Sequence, residues 1–133
     1  MQTNLISNVM PIDNDSVVIT SIAVDYLHDS IEIFKNKDGV LSDDGYTFNN
    51  LVNLLDFAKS WDNDEIERVC SRYGCTFNGD TSELICESGN IVYFIQCLTA
   101  VEAHVSALAN FRVFSSVDKE LSSLIDTLDN SQN

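Results

Sequence analysis

The spacing of apolar residues changes along this chain, and each change marks an element. Val17 to Val24 is largely β-branched and predicts a strand. Ser30 to Lys35 alternates, with Ile31 and Ile33 on one face and Glu32 and Phe34 on the other, and predicts a second strand after a polar turn at Asp25–Asp29. Asp38-Gly39 predicts a two-residue hairpin that returns Val40–Ser42 as a third strand. From Thr47 the period lengthens. Phe48, Leu51, Leu54 or Leu55 and Ala58 form a helical stripe that predicts a helix to Ser60, with Thr47 able to cap it. Asp62 with Glu65 three residues on reads as a capping box for a second helix, which carries Ile66, Val69 and Cys70 inward and stops at Gly74. Cys75–Phe77 and Glu83–Cys86 predict a second hairpin around Asn78-Gly79-Asp80. Asn90 then caps a long helix, Ile91 to about Arg112, and Ser115-Ser116 precedes a last helix with Val117, Leu121, Leu124 and Leu128 in the same spacing.

This order predicts an α+β fold: a small antiparallel sheet of two hairpins, three strands plus two, packed against helices, with a long C-terminal helix. Residues 1–15 are expected to be a flexible N-terminus and 16–112 a single domain. Residues 113–128 read as an additional helix and 129–133 as a disordered tail. The long helix repeats Phe94, Leu98, Val101, Val105 and Leu108 at heptad steps, which serves either the chain's own core or a second chain. Because one helix face covers so small a sheet, a homodimer is expected through these residues of the Ile91–Arg112 helix, with the segment 117–128 as a further candidate surface.

Composition sharpens the picture. Of 133 residues, 44% are hydrophobic and only one is proline, enough for a core that needs no staple. Twenty-one acids against seven bases give a net charge of −14. Such a surface repels nucleic acid and anionic membranes, so neither is expected as a direct partner. It suits the basic surface of a host or phage protein. Asp56, Asp62, Asp64, Glu65 and Glu67, around the junction of the two middle helices, are the candidate contact acids. Cys70, Cys75, Cys86 and Cys97 match no zinc spacing; buried, reduced thiols in a cytoplasmic protein are expected, since no leader-like segment or unbroken apolar run of 18 appears.

The densest chemistry lies in Leu41-Ser42-Asp43-Asp44-Gly45-Tyr46-Thr47-Phe48, which offers two acids, a positive-φ glycine and a phenol where strand meets helix. These residues suit a corner; Asp43, Asp44 and Tyr46 are also candidates to bind a ligand or a hard cation. His28 and His104 lack the partners of a hydrolytic triad, and no Gly-rich phosphate loop is present. A metal-dependent nuclease arrangement needs Glu and Lys on one strand face, whereas Glu32 and Lys35 are three apart and point oppositely. No cofactor is implied, and the chain reads as a non-enzyme, with a metal-dependent enzyme at Asp43 and Asp44 as the alternative.

The run from Asp25 through Ile31-Glu32-Ile33-Phe34 to Leu41–Thr47 resembles an uncharacterised family of small bacterial and prophage proteins with a Leu-Ser/Thr-Asp-Asp-Gly-Tyr-Thr box. Arg72-Tyr73-Gly74-Cys75 with Leu84 is similar to that family's glycine and short hairpin, and the likeness spans about residues 17–108. It implies an α+β fold and a mobile-element origin, and carries no activity. Together with the charge, it leads us to expect a small acidic binding protein that inhibits or regulates a nucleic-acid-handling host protein, as a nucleic-acid mimic of anti-defence type. An accessory or immunity-like partner protein is the other alternative.

Overall fold

The structure, a computed structural model, describes residues 5–131. The first four residues of the expected flexible terminus and the last two of the expected tail lie outside the described residues. Six antiparallel strands form one sheet: β1 (Ile6–Pro11), β2 (Val17–Val24), β3 (Ser30–Lys35), β4 (Leu41–Ser42), β5 (Thr76–Asn78) and β6 (Glu83–Cys86), in the order β1-β2-β3-β4-β6-β5. The α+β class read from the sequence is the class observed. The two expected hairpins are one sheet, because Leu41 and Ser42 pair with Cys86 and Ile85.

One strand lies where a loose terminus was expected. β1 pairs with β2 from Ile6↔Ser21 to Pro11↔Val17, and all six of its residues are exposed. A strand wetted on both faces carries no apolar alternation, so only its non-local pairing reveals it. Pro11 sits at the sheet edge, where a missing N–H costs no ladder bond. The β3–β4 connection is also one residue longer than expected. Asn36 N donates to Val40 O at 3.1 Å, and the Asn36 side chain accepts from Asp38 N and Val40 N. Gly39 takes the positive φ, 80°, that such a three-residue loop needs.

The helices cover one face of the sheet. A single turn, α1 (Tyr46–Phe48), widens into a π-helical segment, Asn49–Leu54, which closes with Leu55 N donating to Asn50 O at 3.0 Å. The expected helix to Ser60 stops here, because Asp56 adopts φ 59°, and a 3₁₀ turn, Ala58–Ser60, follows. Three asparagines in six residues hold a regular helix weakly, and aspartate tolerates the left-handed region. α2 (Asn63–Ser71) begins as read, with Asp62 Oδ1 accepting from Glu65 N at 3.1 Å. α3 (Ile91–Ser131) is one unbroken 41-residue helix. Asn90 caps it by accepting from Tyr93 N at 3.0 Å. The separate last helix expected after Ser115-Ser116 is its continuation.

The core lies between the inner sheet face (Ile19, Ile31, Ile33, Leu41, Leu84, Cys86) and Leu51, Ile66, Phe94, Leu98, Val101 and Val105 from the helices. This corrects the expected dimer seam. Phe94, Val101 and Val105 are 0% exposed and Leu98 1%, so they are spent on the chain's own core, and Leu108 is half-buried. A heptad-spaced stripe and a core-facing helix share a period, and here the sheet supplies the partner.

Candidate functional site

The eight-residue box is the corner at which sheet and helices meet. Leu41 and Ser42 belong to β4, and Asp43, 2% exposed, turns back into the fold. Its Oδ1 accepts from Leu84 N at 2.9 Å and Gly45 N at 3.0 Å, and its Oδ2 from Thr47 N at 3.1 Å. Asp43 N in turn donates to Leu84 O at 3.2 Å. One carboxylate therefore ties β4 to β6 and caps α1, the task the sequence offered to Thr47. Burial pushes this carboxyl up, while the donors from Leu84, Thr47 and Gly45 pull the other way. Gly45 follows at φ 77°, a conformation costly for any side chain. Tyr46 stacks on Phe34 with ring centroids 6.1 Å apart.

Asp43 and Asp44 do not act as a pair. Asp44 is exposed, with φ 55°, and lines a shallow hollow of about 510 Å³ together with Phe34, Lys35, Ser42 and Glu83. Asp43 lines a different cavity, of about 460 Å³, beneath the helices. Adjacent acids sent to different cavities cannot converge on one cation. Among the described residues no group of three His, Cys, Asp or Glu side chains is arranged to hold a metal.

The cavity that Asp43 reaches is the better candidate site. Asp25, Leu27 and Asp29 of the β2–β3 turn form one wall, with Tyr46, Thr47, Asn50 and Leu54 facing them, and Leu98 and Glu102 reach in from α3. Asp25 holds the turn by accepting from Leu27 N at 2.8 Å and Asp29 N at 3.0 Å. Glu102 has its pKa pushed up to about 7, first by burial and then by the negative charges of Asp25 and Asp43. Near neutral pH it can hold or release a proton, and once ionised it leaves the cavity strongly negative. The sequence reading missed Glu102. Its signal is plain in retrospect: it is the only Asp, Glu, Lys or Arg between Ile91 and Phe111.

The other expected contact acids have mixed fates. Asp62 is occupied as a cap, and Glu65 meets His104 Nε2 at 3.1 Å in place of the reciprocal half of a capping box. Glu67 accepts from Phe77 N at 2.7 Å, fixing β5 to α2. Asp56 and Asp64 remain exposed.

The four cysteines converge, as the sequence did not show. All four are free and buried, and all four belong to the one core cluster. Burial pushes Cys75 up to about 12, and Cys97 is raised by its contact with Cys70 and by burial. They are core thiols. Ile91–Phe111 has a mean hydropathy of 1.5 and is long enough to cross a membrane. One face of it, Phe94, Cys97, Leu98, Val101 and Val105, is buried in the core, while 33% of its apolar window is buried in all.

No family model, no curated protein and no solved structure matches this chain.

Proposed function

We propose that this chain is an acidic, non-enzymatic binding protein that engages the basic surface of a protein that handles nucleic acid, as an inhibitor or regulator. One observation carries the reading. The charge of −14 is not neutralised by the fold: among the described residues the one salt bridge is His104–Glu65, and the one buried acid is Asp43. The acids therefore act together as a surface field, which speeds encounter with a basic partner and repels nucleic acid. A phage or mobile-element origin, and with it an anti-defence role by nucleic-acid mimicry, rests on the resemblance of the Leu41–Thr47 box. The immunity-like alternative calls on the same field.

A catalytic reading is favoured by one observation, the Glu102 carboxyl near neutrality in a cavity. It does not extend to a metal centre at Asp43 and Asp44, which face different cavities.

The test is affinity capture from a bacterial lysate on the immobilised chain, followed by titration of the purified captured protein. The expected partner is basic and binds nucleic acid. Its affinity should fall steeply as salt rises, because exposed charges are screened within about 8–10 Å at physiological strength. Duplex DNA should compete with it, and Asp64→Lys, which touches no other structural role described above, should slow association. A partner whose affinity ignores salt, DNA and Asp64→Lys would refute the proposal.

A further inference from the structure

The cavity beneath the helices gathers carboxylates that the chain itself does not neutralise. At about 460 Å³ it falls within the roughly 300–1,000 Å³ of small-ligand sites. Asp25 and Asp29 line it from the β2–β3 turn, Glu32 from β3, Asp43 from the corner and Glu102 from α3. No Lys, Arg or His lines it, and the one salt bridge among the described residues, His104–Glu65, lies outside it. The remaining lining is largely apolar. Leu98, 1% exposed, and Ile31, 6% exposed, give it a buried floor, and Leu27, Leu54 and Tyr46 stand around them. Negative charge over an apolar floor, in one concave space, defines what it can hold.

We infer that this cavity binds a small organic cation, a primary ammonium on an alkyl chain, with Glu102 as the acceptor for the charge and the leucines as the bed for the chain. The alternatives fit less well. An anion meets five carboxylates and no base. A bare divalent ion needs several oxygens converging at about 2.0–2.6 Å, and no group of three acids is so arranged among the described residues. It would also leave the apolar floor unused. An ammonium carries three donors on a flexible stem and so reaches acceptors that are spread around a wall. The acids divide the work. Asp43 and the Oδ1 of Asp25 already accept backbone N–H groups, so they supply field. Glu102 answers that field: burial, then Asp25 and Asp43, push its pKa up to about 7, and a bound ammonium takes the place of the proton it would otherwise hold. Two sources present this chemistry, a free diamine and a lysine side chain of a basic protein. A chain that meets no protein still has this cavity, so the cation site and the acidic-surface proposal stand or fall separately.

Titration calorimetry of the full chain with diaminobutane and with N-acetyl-lysine amide tests it, in about 0.15 M salt so that the general field is screened. Saturable binding at one site is expected. Both probes stay protonated below their amine pKa of about 10.4, so a pH effect reports the protein. Affinity should rise about tenfold between pH 6 and pH 8, as Glu102 ionises, and level off above. Butanol, which keeps the chain and lacks the charge, and magnesium, which does the reverse, should not bind. At pH 8 Glu102→Gln should weaken binding at least about tenfold, the scale of a lost charge-assisted hydrogen bond. Asp126→Asn removes the same charge from the exposed C-terminal end of α3 and should leave binding unaltered. Diaminobutane binding alone assigns the cavity to free amines, and equal binding of the lysine derivative assigns it to a side chain. No saturable binding of either probe would overturn the inference. So would butanol or magnesium binding as tightly, or Asp126→Asn weakening binding as much as Glu102→Gln. Should Glu102→Gln fail to fold, the pH profile of the unaltered chain decides, and an affinity flat from pH 6 to pH 8 would overturn the inference as well.

Discussion

Asp43→Ala is the sharpest probe of how this fold is held together. The substitution removes the acceptor for three backbone N–H groups, those of Gly45, Thr47 and Leu84, at a site where the side chain is 2% exposed. An orphaned buried donor costs about 1–3 kcal/mol. Gly45 is half-buried and water can reach it, so we count Thr47 and Leu84 in full, which gives a loss of about 2–6 kcal/mol. Against a total stability of about 5–15 kcal/mol, that is a large fraction from one side chain. Asp44→Ala, one position along, should cost only about 1 kcal/mol, through the left-handed φ of 55° that alanine tolerates poorly. Asp43→Asn keeps one oxygen but turns an amide toward one set of donors, so it should fall between the two. Urea unfolding followed by circular dichroism measures all three. If Asp43→Ala is no more destabilising than Asp44→Ala, the clamp linking β4, β6 and α1 is not what secures this corner. Should Asp43→Ala fail to fold, the Asp43→Asn comparison still decides the matter.

Two further outcomes are expected. Glu102 has a folded pKa of about 7 against 4.5 for an ordinary glutamate, so between these values the folded state holds a proton that the unfolded chain releases, and stability should fall as pH rises through that window. The conversion of about 1.36 kcal/mol per pH unit sets a ceiling of about 3 kcal/mol, and solvent screening of a half-buried group reduces it to about 1–2 kcal/mol. Glu102→Gln should restore that amount above pH 7 and nothing below pH 4.5, as read by thermal unfolding across pH; a gain equal at both ends would refute the cause assigned. The four buried thiols should resist alkylation in the native protein and react together once urea unfolds it, by mass spectrometry; rapid native modification of Cys75, whose pKa is pushed up to about 12, would contradict its burial as the cause.

The features legible in the chain alone are local ones. The strands β2, β3 and β6, the Asp62 cap of α2, the Asn90 cap of α3 and the α+β class all follow from periods and caps written within a few residues of one another. The corner character of Leu41–Thr47 was legible for the same reason. Tertiary structure decided whatever depends on a distant partner. β1 exists because β2 pairs with it, and the two hairpins are one sheet because β4 meets β6. Asp43 rather than Thr47 caps α1 because Leu84, 41 residues away, shares its carboxylate. Glu102 becomes a candidate proton carrier only where the fold buries it and then sets the charges of Asp25 and Asp43 near it. The heptad spacing of α3 shows the same limit most plainly. Phe94 to Val105 and Val117 to Leu124 look alike as strings, yet the first is core and the second lies in water, because a period fixes which side chains share a face and only the folded chain fixes what that face meets.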